Sequence, residues 1–143
     1  MHLRCVLIIF VALVYCTACS AKNQITVDQP SLIRWFENEN ELEVYAVVSN
    51  STNHDVSFQA SFIFLDDTLK EAVGFESDQL ETDDRNNHSP FKLRAFNETV
   101  FIRKYKAHSK LTHEMLSGGV GVKVTAQQKT YTIAIKHVEK MAK

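Results

Sequence analysis

Histidines and carboxylates are the residues of this 143-residue chain that come nearest to a metal site. His108 and His113 are five positions apart, and Glu114 follows the second histidine. Zinc sites need three or four such ligands, and the sequence places no third or fourth ligand beside these. Residues 76–84 (ESDQLETDD) are rich in carboxylates but lack the spacing of a calcium-binding loop. We therefore expect no metal and no other cofactor.

Motifs that would indicate catalysis are missing from the sequence. It contains no nucleophile elbow, phosphate-binding loop, zinc-protease motif or dinucleotide fingerprint. Two carboxylates can hydrolyse a glycosidic bond, but only at a separation in space that a sequence does not give. We predict that the protein is not an enzyme, and a small periplasmic hydrolase or metal-handling lipoprotein is the alternative.

The N-terminal residues have the pattern of an export signal. Arg4 supplies a positive charge, and residues 5–18 carry no charge at all. A membrane-spanning helix needs roughly 20 apolar residues, so this stretch is too short to span. We predict a signal peptide over residues 1–18.

Cys19 is the predicted site of lipidation. Thr17-Ala18-Cys19 resembles a bacterial lipobox, in which the cysteine after a small residue becomes the first mature residue. Cys16 fits less well, because the bulky Tyr15 precedes it. No cysteine follows Cys19, so a mature chain that begins there cannot form an internal disulfide. Diacylglycerol plus an N-acyl chain would anchor the protein stably in a membrane.

The residue after Cys19 and the sequons suggest two different compartments. Ser20, rather than Asp, is typical of a Gram-negative signal for the outer membrane, and we predict a lipid-anchored protein there, on the periplasmic face or the cell surface. The alternative is a secreted eukaryotic domain with an ordinary signal peptide. Its support is three glycosylation sequons, at Asn50, Asn87 and Asn97.

Alternating apolar and polar residues predict that the rest of the chain is built from strands. The clearest pair is a hairpin of residues 42–49 with 56–65, joined by the turn formers SNSTNHD. Their predicted core-facing residues are Leu42, Val44, Ala46, Val48, Val56, Phe58, Ala60, Phe62 and Phe64. The remaining elements are strands at 32–36, 91–96, 98–105, 121–127 and 130–136, a minor edge strand at 71–75, and a helical turn within 109–116.

These elements predict an all-β fold, a single Ig-like antiparallel β-sandwich of about seven short strands with one short helical turn. The sandwich occupies residues 32–137, with Trp35 in its core. Residues 19–31 are interpreted as the lipidated cysteine and a polar tether, and 138–143 as a tail. The twelve tether residues after Cys19 would reach roughly 40 Å when extended.

The stretches VYAVVSNSTNHDVSFQASFIFLDD and FKLRAFNETVFIRKY resemble small bacterial Ig-like lipoproteins of the YcfL and FxLYD kinds. Phe62, Phe64 and Asp66 match the end of a strand in that pattern, although Asp67 and Thr68 stand where a glycine is usual. The resemblance covers residues 42–136. It implies the fold and the compartment, and it implies no activity and no functional residues.

Charge is divided unevenly along the chain. Residues 23–84 contain 14 acidic and 2 basic residues (net −12), and residues 85–143 contain 12 basic and 3 acidic residues (net +9). The second half includes a stretch that we call the basic stripe: Arg103, Lys104, Lys106, His108 and Lys110.

Two interpretations of the basic stripe remain open. Neighbouring strands could neutralise one another, with the acidic segment 76–84 as a partner. Alternatively, Arg103, Lys104, Lys106 and Lys110 bind an anionic partner, either an envelope protein or an anionic lipid such as lipopolysaccharide. Export removes nucleic acid as a partner. The predicted function is that of a non-catalytic binding or assembly module.

Overall fold

The computed structural model describes residues 23–142, and these residues form an all-β sandwich of two sheets. The strands are β1 Ile25–Phe36, β2 Glu41–Asn50, β3 Val56–Phe64, β4 Ser77–Gln79, β5 Phe91–Leu93, β6 Glu98–Lys106, β7 Val120–Ala126, β8 Lys129–Ile135 and β9 Val138–Lys140. Two short helices, α1 Asp67–Val73 and α2 His113–Leu116, and a 3-10 turn, Glu37–Glu39, lie between them.

The first sheet has the strand order β6-β2-β1-β9, and the second has the order β4-β3-β7-β8, with β5 also paired to β3. Every pair is antiparallel except β1 with β9. The predicted antiparallel β-sandwich is confirmed. Within residues 23–142 it has nine strands and two helices, where about seven strands and one helical turn were predicted.

The core lies between the two sheets and is rich in phenylalanine. Phe58, Phe91 and Phe101 form one cluster, with ring centroids 4.8–6.5 Å apart. The predicted alternation in β2 and β3 is confirmed, since every residue expected to face inward is buried. Trp35 is only 7% exposed, as its predicted core position requires.

The predicted pairing of β2 with β3 is wrong, because the two strands belong to different sheets. β2 pairs with β1 and β6, whereas β3 pairs with β4, β5 and β7. Alternation shows which face of a strand is buried, but both sheets bury a face in the same core. The connection, residues 51–55, is longer than a two-residue hairpin loop and crosses from one sheet to the other.

The predicted tether is too long, because residues 25–31 belong to β1. They pair with the end of β2, and the register shifts between Asp28 and Leu32. Pro30 lies in that shift, where its missing N–H costs no ladder hydrogen bond. The irregularity breaks the alternation, which is why the sequence looks like a linker here.

The predicted tail is also part of the sandwich, since Val138–Lys140 forms β9 beside β1. The backbone N–H of Ile33 donates to the His137 carbonyl at 2.9 Å, and that of Met141 donates to the Trp35 carbonyl at 2.9 Å. Three residues are too few to show a period of two, and their partner strand is distant in sequence.

The predicted edge strand at 71–75 is wrong, because residues up to Val73 belong to α1. Asp66 caps this helix by accepting a 2.8 Å hydrogen bond from the Leu69 N–H, and Gly74 ends it with φ = +86°. In contrast, the predicted helical turn is found as α2, and β7 and β8 form the predicted hairpin.

Candidate functional site

Three turns gather at the end of the sandwich where β1 begins, and we call this the proximal end. They are residues 51–55, 94–97 and 127–128. Gln24 links two of them: its carbonyl accepts from the Ser51 N–H at 2.9 Å, and its Nε2 donates to Gln127 Oε1 at 3.0 Å. The distal end, around the 3-10 turn, is about 30 Å away along the ten residues of β2.

Asn50 holds two of the proximal turns together. Its Nδ2 donates to the carbonyls of His54 at 2.7 Å, Leu93 at 3.2 Å and Arg94 at 3.0 Å. Its Oδ1 accepts from the N–H of Thr52 at 3.0 Å. Asn50 is only 1% exposed, so its amide is not accessible for a glycan in the folded chain. One of the three sequons therefore has a structural role.

Phe96 projects from the turn that Asn50 holds. It is 73% exposed, the largest value among the exposed large hydrophobic residues of the described chain. The backbone is fixed, because the Phe96 N–H donates to the Thr52 carbonyl and the Asn97 N–H donates to the Arg94 carbonyl. The φ of Phe96 is +56°, a conformation that costs a bulky residue about 1 kcal/mol or more. Phe96 therefore contributes little to the core, and its exposed ring is available to contact a partner.

A pocket of about 300 Å³ lies beside this turn. Arg85, Lys92 and Arg94 contribute to its walls, together with Asn87 and Asn97. Two acidic residues also line it, Asp83 and Glu98. Three cations around one small pocket are groups that can bind a phosphate or carboxylate. Arg85, Lys92 and Arg94 were not predicted as a site, because they come from a loop, from β5 and from the turn after it.

Asp83 is the buried anchor of the loop that forms one wall of this pocket. Its carboxylate accepts from the Thr99 hydroxyl at 2.6 Å, the Asn87 N–H and Nδ2 at 2.8 Å each, and the Arg85 N–H at 3.0 Å. Burial favours the neutral acid, but these hydrogen bonds outweigh it and hold the pKa of Asp83 below its ordinary value. Asp83 therefore serves the loop and is not a free calcium ligand.

The basic stripe does not form one surface, because its members point in different directions. Arg103 lies on the core-facing side of β6, at the edge of the sheet. Its guanidinium donates to the carbonyls of Ile102 at 2.9 Å and Thr82 at 3.3 Å, and its Nε is 4.0 Å from Asp78 Oδ2. Arg103 is thus bound by its own molecule.

Lys104 lies on the outer face of the first sheet. Its Nζ is 3.6 Å from Glu41 Oε2 and 4.6 Å from the centre of the Phe36 ring. Glu43 is its direct neighbour in the sheet. These acids belong to β2, so neighbouring strands neutralise Lys104, and the acidic segment 76–84 does not.

The remaining members of the basic stripe lie at the distal end. Lys106, His108 and Lys110 are all exposed. Lys106 ends β6, and Asn40 fixes the loop that follows and carries His108 and Lys110. The Asn40 Nδ2 donates to the carbonyls of Ala107 at 3.0 Å and Ser109 at 2.6 Å, and its Oδ1 accepts from the Leu111 N–H at 3.1 Å. These three exposed groups can contact a partner without a change in the fold.

A larger cleft, about 630 Å³ in volume, lies between β1 and the connection from β8 to β9. Residues 27–32 form one wall and residues 134–137 the other. Asp28, within the first wall, accepts hydrogen bonds from the hydroxyls of Thr26, at 2.9 Å, and Ser49. The volume suits a small ligand. The cleft was not predicted, because residues 27–31 were assigned to the tether.

The remaining chemical predictions can be compared with residues 23–142 only. In that part of the chain no group of three His, Cys, Asp or Glu residues is arranged to hold a metal ion. No helix there has the length and apolar character to cross a bilayer. Cys19 and the predicted signal peptide lie outside the described residues.

Comparisons with known proteins give no family. No family model matches the chain, and no curated protein matches it. A Pseudomonas fluorescens alkylpurine DNA glycosylase, AlkC, bound to DNA with an abasic site analogue, is similar over 81% of this chain and 30% of its own, at 10% identity and a TM-score of 0.38.

A GH20 exo-β-N-acetylglucosaminidase from Vibrio harveyi, as an inactive mutant, is similar over 83% of this chain and 18% of its own, at 10% identity and a TM-score of 0.40. The same enzyme with N-acetylglucosamine gives a TM-score of 0.39 at the same coverage and identity. The chain spans less than a third of the length of each of these structures. Likenesses this distant carry no functional assignment.

Proposed function

We propose that this protein is a lipid-anchored lipoprotein of the bacterial outer membrane that acts as a non-catalytic binding or assembly module. The observation that supports this most is where the sandwich begins. β1 starts at Ile25, so only residues 20–24 separate it from Cys19. Five residues reach roughly 17 Å when extended. An acylated Cys19 would therefore hold the sandwich close to the bilayer, with its proximal end toward the membrane.

This orientation separates two surfaces by their possible partners. The distal end would face away from the anchoring membrane, and Lys106, His108 and Lys110 would be presented there. Exposed cations attract an acidic partner over about 8 Å at physiological salt. We propose that these residues contact an acidic envelope protein, or an anionic lipid outside the anchoring membrane surface.

Labelling with palmitate tests the anchor. The full-length protein is expressed in a Gram-negative host with labelled palmitate, and the membranes are fractionated. We expect label in the wild-type protein and in Cys16→Ala, which is the matched control, and none in Cys19→Ala. Equal label in the wild-type and Cys19→Ala proteins, or a wild-type protein found in the soluble periplasm, contradicts the proposal.

A further inference from the structure

Phe96 is exposed, strained and rigidly held, and its position adds a second observation. It lies at the proximal end, where Gln24 and the start of β1 also lie. The described chain therefore begins at the same end of the sandwich as this phenylalanine, and the residues before it join the sandwich there. A membrane anchored through those residues would be the nearest large surface to Phe96. Aromatic side chains partition into the interfacial layer of a bilayer.

Cations lie at the same end of the sandwich as Phe96. Arg94 precedes it in the turn, while Lys92 and Arg85 line the adjacent pocket. Each is exposed to solvent. Lys92 has an acidic neighbour, Asp55, at 3.8 Å.

The acidic residues of the pocket leave these cations available. The carboxylate of Asp83 is bound by the hydroxyl, amide and backbone groups of its own loop. Glu98 is exposed and also lines the pocket, so the three cations of the lining exceed its two carboxylates by one. The pocket therefore keeps a net positive charge that can attract a phosphate group from outside.

We propose that the proximal end docks on the anionic surface of the membrane that carries the anchor. Phe96 enters the interfacial layer, and Arg85, Lys92 and Arg94 contact lipid phosphates. A stable protein interface would need a larger apolar area than one exposed phenylalanine. One apolar side chain with cations at the same end of the sandwich is better suited to a surface of anionic lipid. This inference rests on the proposed function, because the anchor supplies the orientation.

Tryptophan fluorescence tests the docking on the protein as its host processes it. Phe96→Trp is compared with Phe75→Trp, a matched control at the distal end, where Phe75 is 40% exposed. Trp35 is buried in both variants and gives a common background. Vesicles of phosphatidylglycerol and phosphatidylcholine, with lipids brominated near the headgroup, are added at increasing concentration. We expect phosphatidylglycerol vesicles to quench most of the Phe96→Trp signal and little of the Phe75→Trp signal.

Charge variants test the role of the cations. Lys92→Gln with Arg94→Gln in the Phe96→Trp protein should lower the ratio of docked to undocked protein roughly 25-fold, at about five-fold per cation. Lys123→Gln with Lys136→Gln is the matched control and should leave the ratio unchanged. Millimolar inorganic phosphate should not release the protein, because a free phosphate offers no layer for Phe96.

Each other outcome overturns the proposal. Equal quenching of the two tryptophan variants, or equal quenching by the two lipids, contradicts it. Release by inorganic phosphate would indicate a soluble phosphate ligand instead. A Phe96→Trp signal already shielded from iodide without vesicles would indicate a second copy of the chain. Palmitate labelling reports the anchor separately, so a labelled protein that does not dock overturns only this inference. A protein that docks but carries no label overturns the proposed anchor and, with it, the claim that the docked membrane is the anchoring one.

Discussion

The hydroxyl of Tyr105 donates a 2.7 Å hydrogen bond to Asp78 Oδ2. This contact joins the edge strand β6 of the first sheet to the short strand β4 of the second. The ring of Tyr105 packs against Phe64 at 5.2 Å and Phe75 at 5.6 Å between centroids. Burial, followed by the hydrogen bond to Asp78, raises the pKa of Tyr105 well above its ordinary value.

Tyr105→Phe should separate the hydrogen bond from the packing. The ring contacts remain, so the free energy of unfolding should fall by about 1 kcal/mol, the net value of one hydrogen bond. The raised pKa means that the folded state favours the neutral phenol. The contribution of the Tyr105 phenol to the free energy of unfolding is complete below about pH 10, the pKa of an unfolded tyrosine. It is lost as the pH rises above that value.

Urea unfolding between pH 7 and pH 11 measures both effects. The stability of the wild-type protein should decline above about pH 10, and the decline should be shallower in Tyr105→Phe. Tyr131 also has a raised pKa, caused by burial, and it titrates in both proteins. Identical slopes in the two proteins would show that the Tyr105 contact does not contribute.

Asp83 should behave in the opposite way with pH. Its lowered pKa means that the folded state favours the carboxylate, so its contribution is complete above about pH 4 and is lost as the pH falls further. Asp83→Ala leaves buried donors unpaired, including the Thr99 hydroxyl, and should cost about 1–3 kcal/mol at pH 7. Asp84→Ala, at an exposed neighbour, is the control and should cost less than about 0.5 kcal/mol.

Denaturant unfolding from pH 3 to pH 7 measures this prediction. The difference between the wild-type protein and Asp83→Ala should shrink below about pH 4, because the wild-type carboxylate then becomes protonated. A difference that stays constant across the range would contradict the assigned role of the charge.

Phe62 and Ser61 are adjacent in β3 and point to opposite faces of the second sheet. Phe62 is fully buried, so Phe62→Ala should lower the free energy of unfolding by about 3–5 kcal/mol. The Ser61 hydroxyl makes one exposed hydrogen bond, to Gln79 Oε1 at 2.9 Å, and Ser61→Ala should change stability by less than about 0.5 kcal/mol. Thermal unfolding compares them, and similar melting temperatures would contradict the assigned faces of β3.

The faces of β2 and β3 show what the sequence can predict. The alternation of apolar and polar residues in a strand indicates which of its faces is buried, so the inward faces of β2 and β3 were identified correctly from their own residues. Pairing is not local. β2 finds its neighbours in β1 and β6, and nothing in residues 41–50 distinguishes those partners from β3.

The residues that organise the proximal end could not be predicted, because their hydrogen-bond partners are also distant in sequence. Asn50 looked like a turn former and a sequon, but two of its acceptors are the carbonyls of Leu93 and Arg94, more than forty positions away. Asp83 was one of several acids in the segment 76–84, and its partner Thr99 comes from β6. Phe96 was predicted to lie in a strand over residues 91–96. The structure places it in a turn that the distant Asn50 holds, so its exposure could not be predicted from the neighbouring residues.

The basic stripe can be tested by reversing its charges in two separate pairs. Lys104 is bound by Glu41 and neighbours Glu43, so Lys104→Glu with Lys106→Glu adds repulsion within the first sheet. We expect this pair to lower the free energy of unfolding by about 1 kcal/mol, as for exposed ion pairs.

Lys106→Glu with Lys110→Glu leaves Lys104 in place, although Lys106 is paired with Glu41 in the sheet. This variant should still fold, with a free energy of unfolding lowered by no more than about 1 kcal/mol, yet lose the acidic partner captured from detergent-solubilised envelopes. Lys123→Glu, on the outer face of the second sheet, is the control and should keep that partner. Capture should weaken as salt increases, because screening shortens the reach of exposed charges. If the distal variant keeps the same partners as the wild-type protein, the basic stripe has no role in binding, and its lysines serve only the edge and surface of the sheet.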